Sequence, residues 1–281
     1  LVEDYVTNER WAEAAPLAEM LVRKSKGKDK AEQHSLNRLL GKVQQARGNY
    51  AEALKAFQTA HQLDVTDPET VRGLAAVCFQ LGDWPSALTN YQKVLTGLDD
   101  GDVEDRTEVY YRMGKIKQAQ GQNKQAINNF EKALSLDSNH RVSLDAMVEV
   151  HTTERDWPNV ASYKRRVLDH LLEDNERLEL LVSIADVWSE KQKDSARAIE
   201  ALEEAREIRP QDHVILHKLL TLYQESGDWS RMVDTLSAIS EIEQEPGRKA
   251  RYFYTMAQLY RDKIQDQERA VELFNEALDL A

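Results

Sequence analysis

The sequence predicts an all-α solenoid of about eight helix–turn–helix units with a higher-order period of two units. Three observations predict it. First, a phrase made of a turn and one amphipathic helix recurs along the chain. It reads Gly48-Asn49-Tyr50-Ala51-Glu52-Ala53 with Phe57 and Ala60, then Gly82-Asp83-Trp84-Pro85-Ser86-Ala87 with Tyr91, then Gly121-Gln122-Asn123-Lys124-Gln125-Ala126 with Phe130 and Ala133. Second, aligning the middle residue of each second helix gives Ala14, Ala53, Ala87, Ala126, Val160, Ala198, Met232 and Ala270, spaced 39, 34, 39, 34, 38, 34 and 38. A fixed period of this size marks a stack of helix pairs, and the alternation makes the true repeat a doublet. Third, Trp11, Trp84, Trp157 and Trp229 fall at intervals of 73, 73 and 72. No stretch sustains a two-residue alternation, so no strand is expected.

In chain order, residues 1–30 hold a partial unit: the end of a helix with Leu1, Val2 and Tyr5, then a second helix from near Trp11. Pro16 lies inside that helix and is expected to kink it. The basic run from Arg23 to Lys30 reads as a solvated loop. Residues 31–67 form a pair whose first helix carries Leu36, Leu39, Leu40 and Val43, closed by Gly48 as a left-handed cap. Residues 68–101 open with Pro68 in a first helical turn and turn Leu74, Ala75, Cys78 and Phe79 inward. The carboxylate-dense segment Asp99 to Asp105 has the wrong register for a Ca²⁺ loop and is expected to cap the next helix. The remaining units run 102–139, 140–173, 174–210, 211–245 and 246–281, each with an apolar stripe on both helices. The extra residues of alternate units fall before the even ones, which predicts longer first helices or longer loops there.

Composition narrows the function. The 281 residues are 41% hydrophobic and 31% charged, with formal net charge −12. That balance argues against general binding of nucleic acid or anionic membranes, which need a Lys/Arg excess. The charge is uneven: 18 Lys and Arg face 20 Asp and Glu in residues 1–140, leaving 19 against 29 for the rest. One cysteine, Cys78, excludes an internal disulfide framework and on its core stripe reads as an inert buried thiol. No apolar run is long enough to span a bilayer. These features favour the cytoplasm, with the periplasm left open. The chain starts at Leu1 within a helix and is expected to be a fragment of a longer protein.

The residues just quoted resemble the tetratricopeptide repeat. Leu40-Gly41, Gly48, Tyr50, Ala53, Phe57 and Ala60 carry the pattern, as do Leu74-Ala75, Gly82, Trp84, Ala87 and Tyr91. Met113-Gly114, Gly121, Ala126, Phe130 and Ala133 carry it again, followed by Ile184-Ala185, Trp188, Ala198, Ala205 and Pro210. Leu219, Tyr223, Gly227 and Trp229 match in part, and Ala257, Tyr260, Ala270, Phe274 and Ala277 match well. The chain departs at Val160, Val167, Met232 and Ile239, which replace small residues. The resemblance implies a right-handed superhelix, and the doublet is similar to long arrays in large bacterial proteins. Four of the five Trp recur at one repeat position and are expected in the core with Trp188.

No catalytic, cofactor-binding or metal constellation stands out. His213 and His217 have ligand spacing but lack the adjoining Glu of a zinc protease helix. His213 reads better as a helix start. What remains is a surface. The resemblance implies that first helices line a concave groove. By register it is faced by Ser35, Arg38, Lys42, Arg72, Ala76, Tyr111 and Lys115, then Asp145, Glu149, Asp186, Glu190, His217, Thr221, Tyr254, Gln258 and Arg261. This groove is basic at one end and acidic from the fifth unit on. A family subclass grips C-terminal carboxylates with Lys and Asn; Ala76 and Lys115 stand where amides are expected, so that clamp is rejected. The expected function is a non-enzymatic scaffold for a peptide or protein, with no nucleic acid and no membrane insertion. The alternatives are the docking arm of a larger enzyme, or self-association through terminal units around Phe274 and Leu278.

Overall fold

In the computed structural model, which describes residues 2–280, sixteen α-helices form eight consecutive helix–turn–helix pairs. They are α1 (Val2–Thr7) and α2 (Trp11–Lys24), α3 (Lys30–Ala46) and α4 (Tyr50–Leu63), α5 (Pro68–Gln80) and α6 (Trp84–Thr96), and α7 (Val103–Ala119) and α8 (Asn123–Leu136). Then come α9 (Arg141–Glu154) and α10 (Trp157–Leu168), α11 (Asp174–Asp186) and α12 (Ser195–Ile208), α13 (His213–Ser226) and α14 (Trp229–Ile242), and α15 (Pro246–Leu259) and α16 (Gln267–Asp279). No strand occurs among the described residues. The described residues fall into two compact units, divided between Ala146 and Met147, called unit 1 and unit 2.

Helix starts follow the aspartates. Asp29, Asp67, Asp83, Asp156, Asp194, Asp212, Asp228 and Asp266 each occupy an N-cap and accept a first-turn N–H. Such a cap satisfies donors that the helix leaves unpaired and complements its dipole. Part of the acid surplus is therefore architectural. The expected cap over Asp99–Asp105 takes another form. Asp102 holds the N-cap position of α7, but its carboxylate accepts the Asp99 N–H at 2.9 Å and makes no cap bond, while Asp100 pairs with Arg106. Helix α2 runs continuously through Pro16.

In unit 1, two of the tightest core contacts set a glycine against an aromatic ring. Phe57 of α4 lies against Gly41 of α3 and Gly73 of α5; a Cβ at either glycine would come within 2.7 and 2.5 Å of the ring. Phe130 of α8 lies on Gly114 of α7 in the same way. Both rings are fully buried. The α3 stripe reads differently from expectation: Val43 is buried, Leu36, Leu39 and Leu40 are half-buried, and Asn37, Gly41 and Gln44 lie deeper. Buried Gln44 is satisfied by Glu19 of α2 at 3.0 Å and Asn49 at 2.8 Å, so a polar side chain ties three segments together. Cys78 is buried, which raises its thiol pKa, and Tyr91 is pushed up to about 12 by burial.

Unit 2 has its own core, centred on Leu181, Ile184, Leu202, Ile215, Leu219 and Tyr223. Val160, Val167 and Ile239 are buried in place of small residues. The tryptophans differ from expectation. Trp11, Trp84, Trp157 and Trp229 each take the first position of a second helix and are half-buried rather than enclosed. Trp84, for example, packs edge-on to Phe79 at 5.7 Å. At a helix start the indole reaches sideways over the preceding turn, so one face meets the core and the other meets water. Trp188 is likewise half-buried.

The even pairs have the longer first helices. Helices α3 and α7 have 17 residues each, against 13 for α5. In unit 2, α11 and α15 are extended by π turns, Val187–Gln192 and Tyr260–Ile264. The cause is one extra residue. Between the small residue of the first helix and that of the second there are 12 steps from Gly41 to Ala53 and from Gly114 to Ala126, but 13 from Ala185 to Ala198 and from Ala257 to Ala270. Unit 1 closes these helices with a left-handed glycine, as at Gly121 (φ 72°), and an N–H bond reaching back five residues, Gln122 to Lys117. Unit 2 closes them with Lys193 and Gln265 at φ 56° and 65°, and bonds that reach back six, Asp194 to Trp188 and Asp266 to Tyr260.

Candidate functional site

In unit 1 the first helices α3, α5 and α7 carry two adjoining depressions of 410 and 250 Å³. Gln45, Arg72, Ala76 and Gln80 border both; Lys42, Glu69 and Gly73 are among the others that line the larger, and Asp105, Glu108 and Arg112 among those that line the smaller. Ala46, Tyr50 and the buried Phe57 supply apolar lining to the larger. Lys42, Arg72 and Ala76 were expected here. Gln45 and Gln80 were not, since nothing in the repeat pattern separates them from surface glutamines.

The cations expected to face a ligand are engaged. Arg38 pairs with Asp67 at 3.0 Å, Lys42 with Glu69 at 2.8 Å and Arg72 with Asp105 at 2.9 Å, each carboxylate belonging to the start of the next first helix or its cap. Asp67 is the most enclosed of them. Burial alone would raise its pKa, but hydrogen bonds from the Thr70 N–H and hydroxyl, with the Arg38 guanidinium, outweigh burial and hold it below the usual carboxylate range. His34 Nε2 lies 3.3 Å from the same carboxylate. These pairs join successive helix pairs, so the basic end of the face is largely neutralised. Tyr111 rests against Phe130 and edge-on to His140, with ring centres 6.1 and 5.7 Å apart. Lys115 lies half-buried on α7, and Asp145 bonds Arg141 at 2.9 Å.

In unit 2 a depression of 460 Å³ lies between α11 with its π turn and α13. Its apolar floor is Ala185, Leu202 and Leu222. Asp186, Glu190 and Glu225 supply carboxylates to its walls, Lys193 and Lys218 supply ammonium groups, and Ser189, Ser195 and Thr221 supply hydroxyls. Lys218 is bound to Asp186, and Ser195 donates to Glu225 at 3.3 Å. Asp186, Glu190 and Thr221 were expected on this face. Lys193, Lys218 and Glu225 were missed; the 13-step spacing was the signal for Lys193. His217 is exposed and Glu149 sits on the exposed side of α9. Tyr254 packs edge-on to Phe274 at 5.4 Å, and Arg261, paired with Asp262, lies over the same ring at 5.7 Å. Gly247, Ala250, Arg251, Tyr254, Phe274, Ala277 and Leu278 border an apolar hollow of 600 Å³.

Among the described residues no three His, Cys, Asp or Glu side chains gather as a metal cage, and no helix is long and apolar enough to cross a membrane.

Three models of the tetratricopeptide repeat match the sequence, over residues 1–68, 67–139 and 250–281. No curated protein matches it. Among solved structures, a tetratricopeptide repeat protein from Parabacteroides merdae is 16% identical with TM-score 0.53, covering 99% of this chain and 96% of that one. The apo form of the quorum sensor NprR from B. thuringiensis is 12% identical with TM-score 0.56, covering 99% and 85%. PilW, described as a widely conserved type IV pilus biogenesis factor, is 14% identical with TM-score 0.52, covering 79% and 94%. At such identities the likeness is one of fold. Repeats of this kind generally mediate protein–protein interaction and are generally non-catalytic. With its recurring glycine–aromatic contacts, its sixteen paired helices and these matches, the chain belongs to the tetratricopeptide repeat family.

Proposed function

We propose that the chain is a non-catalytic scaffold that holds a peptide or protein segment against its first helices. The observation that carries this reading is the placement of hollows of 410 Å³ in unit 1 and 460 Å³ in unit 2, both bordered chiefly by first-helix side chains. Each combines an apolar floor with polar walls, which is the makeup of a site that fixes orientation by hydrogen bonds and gains affinity from burial. Peptides selected on the chain from a random display library test it. Amide hydrogen exchange in the complexes is expected to slow in α3, α5, α11 and α13. Filling the hollows with Ala76→Trp or Thr221→Trp is expected to release the peptides while far-ultraviolet circular dichroism stays unchanged. Protection confined to second helices overturns the reading.

A further inference from the structure

The 460 Å³ hollow of unit 2 differs in origin from the depressions of unit 1. Ser189 and Glu190 lie in the π turn and Lys193 directly after it, and these three residues form one wall. The turn exists because one residue more separates Ala185 from Ala198 than separates Gly41 from Ala53. The insertion has not been absorbed as an idle bulge. Its residues line the hollow opposite Lys218, Thr221, Leu222 and Glu225 of α13, and π turns inside helices frequently mark functional positions.

The charges in the hollow are unequal in availability. Of the two ammonium groups, Lys218 is bound to Asp186 and Lys193 stands in the wall beside Glu190, so the lining carries three carboxylates against two ammonium groups. Of the carboxylates, Glu190 has a side chain 62% exposed and makes a long, solvent-exposed ion pair with its neighbour Lys191 at 3.7 Å. Glu225, which lines the hollow, accepts the Ser195 hydroxyl at 3.3 Å, a bond that uses one of its lone pairs. The floor of Ala185, Leu202 and Leu222 is apolar. An apolar floor below a carboxylate rim suits a side chain with an aliphatic stem and a cationic head. The acidity of the second half of the chain adds attraction for such a group.

We propose that this hollow is a recognition pocket for an arginine side chain of the bound segment, its stem on Leu202 and Leu222 and its guanidinium between Glu190 and Glu225. A planar guanidinium bonds carboxylates in pairs and matches a two-carboxylate rim better than an ammonium does. This proposal rests on the reading of the first-helix face as the binding face and adds the chemistry that one part of it selects.

The test titrates the whole chain with N-acetyl-arginine amide, with its neutral isostere N-acetyl-citrulline amide and with N-acetyl-glutamate amide, following the amide resonances of Ser195 and Thr221. The arginine probe is expected to shift both and to bind about tenfold tighter than citrulline, the loss typical of a charge-assisted pair. Glu190→Gln with Glu225→Gln is expected to erase that preference without changing the melting curve. Deleting Lys193, which restores the 12-residue spacing, is expected to abolish the shifts; the double glutamine variant serves where the deletion fails to fold. Equal binding of arginine and citrulline, tighter binding of the glutamate probe, or no shift at about 20 mM arginine probe overturns the proposal. If library peptides still protect the first helices in that case, the scaffold reading stands and the arginine pocket alone falls.

Discussion

The ring of Phe57 in α4 meets the backbone of Gly73 in α5 so closely that a methyl group there would lie 2.5 Å from two ring carbons. The contact joins one helix pair to the next, and Gly41 meets the same ring from within the pair. Gly73→Ala adds helix propensity worth about 1 kcal/mol. It also forces a buried ring to move, which costs about 1–3 kcal/mol. The second effect is expected to win, with net destabilisation measured by urea unfolding, and Phe57→Leu in the same chain is expected to recover part of it. Phe57→Ala alone is expected to cost about 3–5 kcal/mol.

The Asp67 carboxylate is held below its ordinary pKa, so protonation is harder in the folded chain than in the unfolded one. Its contribution is fully present above the ordinary carboxylate value near 4 and disappears as pH falls through the lowered folded value. The stability gap between wild type and Asp67→Asn, from urea melts, is expected to be constant from about pH 8 to 5 and to close below about pH 4.

Lys193 occupies a left-handed backbone position at φ 56°, where a side chain meets strain of about 1–2 kcal/mol. Glycine removes the strain but loses more entropy on folding, by roughly 0.5–1 kcal/mol. Lys193→Gly is therefore expected to stabilise by about 0.5 kcal/mol, and Gly121→Ala to destabilise by about 1 kcal/mol. Paired thermal melts check both signs.

Trp84 starts α6 and packs edge-on to Phe79. Because the indole is half-buried, Trp84→Ala is expected to cost about 2 kcal/mol, below the range for an enclosed ring. Acrylamide is expected to quench the fluorescence of the folded chain readily, since every tryptophan keeps a wet face.

The helical pairing was legible because small residues and aromatics recur at fixed spacing, and each such pair dictates one close helix contact. The tryptophan interval announced the doublet, yet it gave no depth, because the same spacing serves an enclosed ring and one lying across a helix start. Arg38, Lys42 and Arg72 were placed on the first-helix face by register. Their partners Asp67, Glu69 and Asp105 come from the following pair, a contact that periodicity alone does not specify. The hollow beside Lys193 was hidden in a one-residue difference that the larger alternation of 34 against 38 and 39 obscured.

That single added residue in the turn after α11, matched by another after α15, leaves the alanines on either side buried, Ala185 with Ala198 and Ala257 with Ala270. The junction between paired helices thus behaves as an expansion joint: the chain can lengthen there while its packed faces keep their phase. In an array of this kind, contour can be reshaped one residue at a time at these joints, and the interior need not be rebuilt.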